Sequence, residues 1–194
     1  MKKAQENISQ IANFNWSKMS IYDILYLSLT TAYEFAESLR IAQKFYPENK
    51  DIAAVASGEL LTDNLYYENY RRPGDHADYL AYFFVRKNLG RRVSLKAQVS
   101  ADIYLIKCES FTDGQRAMSI ISREQELHKI FEKIVSSHNW KSNSLDFYEH
   151  YLLEHIRFDS QEGGHGDLLS KLPLNEKYLD EFWAARFDLY NSAM

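Results

Sequence analysis

Only three prolines and seven glycines interrupt 194 residues. Proline removes a backbone donor and breaks helices, and glycine weakens them, so a chain this poor in both leaves long stretches free to stay helical. The breakers that exist punctuate periodic segments. Pro47 follows a run from Ser20 to about Phe45, and "RRPG" closes one from Asn49 to about Tyr70. Ser20 stands where an N-cap belongs. Asp75 should cap a helix over 76–88, with Gly90 at its C′ position. A short amphipathic segment covers 3–14, "TDGQRAMSIISREQELHKIFEKIVSS" is strongly periodic with Asp113 near its start, and further helices are expected over 143–160 and 175–192. Residues 93–110 have strand-like propensity, but a lone strand has nothing to pair with, so helix is expected there too. No linker, repeat or long low-complexity segment divides the chain. The expectation is one all-α domain over 1–194, a bundle of about seven helices.

Apolar residues make up 45% and charged residues 26%, enough for a substantial core in an ordinary globular chain. The formal charge of −4 argues against nucleic acid, which calls for a basic surface. The nearest thing to a basic cluster is Arg71, Arg72, Lys87, Arg91, Arg92 and Lys96. It reads as a solvated face, the other reading being a holder for a substrate carboxylate. No run approaches the ~18–20 apolar residues of a membrane span, and "MKKAQENISQ" carries no apolar signal region, so a soluble cytoplasmic protein is expected. Cys108 is the only cysteine, which excludes an intramolecular disulfide.

Three helices place ionisable groups where periodicity calls for apolar ones. Glu124 falls within the stripe Ala117, Ile120, Ile121, Leu127, Phe131 and Ile134. Tyr148, Leu152, His155 and Asp159 form one face at spacings of four, three and four. Leu61, Leu65 and Glu68 share another face, and His76 opens the helix after the Pro-Gly break. A buried bare carboxylate is costly unless neutralised or paired. These stripes hold no Lys or Arg to balance them, and a divalent metal would do so. Imidazole plus carboxylate without thiolate suits iron or manganese better than structural zinc. His155 and Asp159, one turn apart, can reach one ion from one helix. Gly163 and Gly164 would then let the chain turn His165 back toward it. His128, His138 and His150 are left outside the site.

Over residues 50–190 these segments resemble the haem-oxygenase-like diiron oxidases and oxygenases. "NLYYENYRRPGDHADYLAYFFVRKNLG" is similar to that family's glutamate, break and His-led helix. "ISREQELHKIFEKIV" is similar to its mid-helix glutamate segment, and "EHIRFDSQEGGHGDL" to its closing His-x-x-x-Asp…His motif. The resemblance implies a haem-oxygenase-like bundle with a metal-binding core over roughly 49–169. It implies the ligands Glu68, His76, Glu124, His155, Asp159 and His165, with Glu124 as the carboxylate serving both metals. Two iron ions are implied, Fe/Fe before Mn/Fe, with O2 as co-substrate and an external electron donor. The substrate would be a small molecule, an amino acid or its derivative, undergoing C–C cleavage, desaturation, N-oxygenation or nitrile formation. Homodimers are common in such folds. Five residues separate Asp159 from His165, more than is usual in that family, so Glu162 is an alternative last ligand if the helix continues, and Glu59 an alternative first one. Two other readings stand beside this one. One is a metal-free enzyme of thiaminase-like or quinone-cofactor type on the same fold. The other is a non-enzymatic helical partner-binding protein.

Overall fold

The computed structural model of the protein describes residues 2–59, 67, 70, 74–162, 164–169, 172 and 175–194. Among them there is no strand. The helices are α1 (Lys2–Ala12), α2 (Ile21–Phe45), α3 (Lys50–Glu59), α4 (His76–Arg86), α5 (Leu95–Glu109), α6 (Asp113–Ser137), α7 (Asp146–Ser160), α8 (His165–Leu169) and α9 (Glu176–Ala193). Short 3-10 turns follow α1, α4 and α6. None of these helices is long and apolar enough to cross a membrane.

Caps set where the helices begin. Ser20 Oγ accepts from the Tyr22 amide at 3.3 Å and opens α2, as expected. Asp75 and Asp78 form a reciprocal capping box at the start of α4, and Thr112 and Gln115 form another at α6. Each satisfies two amides that the first helical turn leaves without partners. The end of α4 differs from expectation. The helix stops at Arg86, and the left-handed residue is Asn88 (φ 53°), not Gly90, which falls inside a 3-10 turn. Asparagine tolerates this conformation because its short amide can bond locally.

The ambiguous segment 93–110 is helical. Its inner face is Ala97, Ala101, Tyr104 and Cys108, while Leu95, Val99, Ile103 and Ile106 are exposed. Apolar residues on both faces blur the helical period, which is why the segment reads partly as strand.

Helix α6 lies at the centre, against α2, α7, α8, α9 and α1. From Ala117 to Glu124 every residue is buried, so this stretch has no solvent face. Helix α9 packs against α5, α1 and α6, and α4 against α2. One hydrophobic cluster runs from Ala4 to Ala193, with Trp140, Trp183, Phe147 and Tyr148 wholly enclosed. Any polar side chain on the inner half of α6 must therefore find its partner inside the protein.

Candidate metal centre

Four helices bring the ionisable residues together. Glu124 projects from the enclosed part of α6 and is 3% exposed. His155 and Asp159 are buried one turn apart on α7. His165 is the first residue of α8. His76 is the first residue of α4, and its place depends on the cap before it. Asp75 Oδ1 accepts from the Asp78 amide at 3.0 Å, while Asp75 Oδ2 accepts from Arg40 Nη2 at 2.7 Å. One carboxylate thus both starts α4 and ties it to α2.

The turn between α7 and α8 depends on glycine at close approaches. A Cβ at Gly166 would lie 2.8 Å from the Asp159 carbonyl oxygen and 2.9 Å from that of Glu124. A Cβ at Gly164 would lie 1.9 Å from the Phe158 carbonyl oxygen. Hydrogen alone fits there, so α8 seats against the backbone of α6 and α7 and delivers His165 to Glu124 and Asp159.

His165 Nδ1 lies 3.2 Å from Glu124 Oε2 and 3.7 Å from Asp159 Oδ1. One ligand atom from each of these three residues lies within 4.8 Å of the others. Glu124 Oε2 is fully buried and accepts no hydrogen bond among the described residues. The second group is a histidine pair: His76 Nδ1 and His155 Nε2 are 2.9 Å apart. His155 Nδ1–H donates to the Tyr151 carbonyl at 2.8 Å, which leaves Nε2 as the ring atom that faces His76. A backbone carbonyl on the far nitrogen is the usual support of a metal-binding imidazole. His76, Glu124 and His155 line one cavity of about 20 Å³, room for a water molecule, walled by Phe35, Leu127 and Phe131.

Five of the six expected ligands therefore lie on described residues, and each is buried or nearly so. Glu68 lies outside the described residues, as does the side chain of Glu59. Two details differ from expectation. His155 and Asp159 do not converge on one point: Asp159 joins Glu124 and His165, whereas His155 turns to His76. Glu162 is exposed, because α7 ends at Ser160 and Gln161 is extended, so the alternative last ligand drops out. His128, His138 and His150 stay outside the cluster.

Two buried arginines lie outside the three stripes, and neither bonds Glu124 or Asp159. Arg123, next to Glu124 but on the other side of α6, is fully buried, and its Nη1 donates to Glu34 Oε2 at 2.5 Å. Glu34 also accepts from Ser38 and, at 3.3 Å, from Tyr104. Burial would raise the Glu34 carboxyl, but Arg123, the Ser38 hydroxyl and Arg116 together hold it below its ordinary value. Arg186 on α9 is 1% exposed and lines the cavity. The signal for Arg186 was present in the sequence: it interrupts the stripe Leu179, Phe182, Trp183, Leu189 and Tyr190. Of the basic cluster, Lys87, Arg91, Arg92 and Lys96 are exposed, as a solvated face requires, while Arg71 and Arg72 lie outside the described residues.

The trio of two carboxylates and an imidazole can do one of two things. Protonated, the imidazole would sit as a cation between the carboxylates. Neutral, it offers a lone pair to a divalent ion that the carboxylates neutralise. An oxygen-rich set with imidazole and no sulfur fits iron or manganese. No family model matches the chain, and neither a curated protein nor a solved structure matches it.

Proposed function

We propose that the protein is a non-haem diiron oxidase or oxygenase on a haem-oxygenase-like helical bundle, using O2 to oxidise a small organic substrate. The observation that carries the reading is the convergence of Glu124, Asp159 and His165, with the His76–His155 pair on a cavity that Glu124 also lines. Glu124, Asp159 and His165 would hold one ion and His76 and His155 the other, with Glu124 serving both. Bound iron would supply the activation of dioxygen, and an external donor the electrons. The chain's own part is orientation and exclusion of water. The Tyr151 carbonyl keeps the proton on His155 Nδ1 and so aims Nε2 inward. The Asp75–Arg40 contact holds the start of α4, and with it His76. Phe35, Leu127 and Phe131 wall the cavity and keep it apolar around the polar end groups.

The test is iron per chain after anaerobic Fe(II) loading, for the wild type and for Glu124→Ala and His155→Ala. About two irons in the wild type, halved or lost in the variants, is expected. A wild type that stays metal-free would refute the reading. It would leave the trio as a protonated His165 held between two carboxylates, a reading that the 3.2 Å approach of Glu124 to His165 also accommodates.

A further inference from the structure

Arg186 is a buried cation whose guanidinium bonds no carboxylate among the described residues, although Glu34 acts on it through space. Its Nη2 makes one long hydrogen bond, 3.3 Å, to the Tyr190 hydroxyl. Nε and Nη1 carry three of the five guanidinium N–H groups, and neither finds a partner among the described residues. Glu34, the carboxylate buried nearby, is already engaged by Arg123, Ser38 and Tyr104. The rings of Trp183 and Tyr190 lie about 6 Å from the guanidinium carbon, at 6.0 and 5.9 Å, and offer only weak compensation. A guanidinium stays charged at any pH the fold survives, so it cannot escape its burial by losing a proton. Its unpartnered N–H groups leave room for an acceptor beyond those the described residues supply.

The cavity shows where that acceptor would sit. Arg186 lines the same void as His76, Glu124 and His155, and Phe35 and Phe131 line it too. If Glu124 and Asp159 neutralise metal, neither is available to balance Arg186. We infer that Arg186 anchors the carboxylate of a small organic acid, whose apolar body lies toward Phe35 and Phe131 and so beside the metal ligands. A planar guanidinium fork matches a planar carboxylate, two parallel N–H groups meeting two oxygens. This deepens the diiron reading and rests on it for the word substrate.

The test measures metal and anion separately. Wild type, Arg186→Met and Arg186→Lys are each titrated calorimetrically with propionate and 3-phenylpropionate, and with the primary amide of each. Every titration is run on Fe(II)-loaded and on metal-free protein, with iron per chain measured in parallel. Wild type should prefer an acid over its amide by at least tenfold. Arg186→Met should lose about ten- to a hundredfold in acid affinity while keeping its iron, and amide binding should not change. Arg186→Lys keeps the charge without the fork and should fall between, which preserves the test if the methionine variant does not fold. An Arg186-dependent preference in a protein that takes up no iron would uphold the anchor and sink the diiron reading. An acid preference unchanged in both variants, or absent from the wild type, would overturn the anchor whatever the iron content.

Discussion

Replacing Gly166 with alanine tests how α8 is seated. Alanine normally stabilises a helix relative to glycine, by up to about 1 kcal/mol. Here the added Cβ would meet two carbonyl oxygens, of Asp159 at 2.8 Å and of Glu124 at 2.9 Å. Carbon and carbonyl oxygen rest at about 3.3–3.6 Å, so both contacts are short by roughly half an ångström. Neither can yield by rotating a side chain, because both belong to helical backbone. Helix α8 must shift, and His165 with it. Overpacking of this kind costs about 1–3 kcal/mol, which outweighs the helix gain and lowers the melting temperature by roughly 2–4 °C per kcal/mol. The assay is urea unfolding followed by the fluorescence of Trp16, Trp140 and Trp183, all buried. Gly114 is the control, since a Cβ there meets only side-chain atoms at 3.6 Å or more. Gly114→Ala should be neutral or stabilising, Gly166→Ala destabilising, with iron uptake reduced in the latter alone. A Gly166→Ala protein as stable as the wild type would refute the close packing of α8 on α6 and α7.

The buried Arg123–Glu34 pair should behave as a unit. Arg123→Met removes the nearest counter-charge of a buried carboxylate and should cost about 3 kcal/mol in urea unfolding, whereas the double variant with Glu34→Gln should recover part of that loss. The pH dependence follows from the lowered Glu34 carboxyl. Its stabilisation is complete above the ordinary value near 4.5 and is lost as pH falls through the native value. Unfolding midpoints at pH 7 and pH 3 should therefore differ less in Glu34→Gln than in the wild type. The Cys108 thiol is pushed up to about 12 by burial, with Glu34 adding to it. It should resist alkylation at pH 8 in the native protein and react only on unfolding, and rapid native labelling would contradict its enclosure.

Much of the helical layout was legible in the sequence because it depends on neighbours in the chain. Ser20 and Asp75 announced their helices through side chains that bond amides two or three residues on. The apolar stripe of α6 exposed Glu124 as an intruder, and the α7 stripe did the same for His155 and Asp159, all buried as expected. Where local rules conflicted the signal failed: α5, apolar on both faces, read partly as strand, and Asn88 took the left-handed role expected of Gly90. Periodicity says that a side chain points inward but not what it meets there. That His155 would face His76 while Asp159 faces His165, that Arg123 would turn from its neighbour Glu124 to Glu34, and that Arg186 would reach the cavity were decided only by packing. Each depends on the angle at which one helix crosses another, and that angle is set by the fit of whole side-chain surfaces, which no single segment contains.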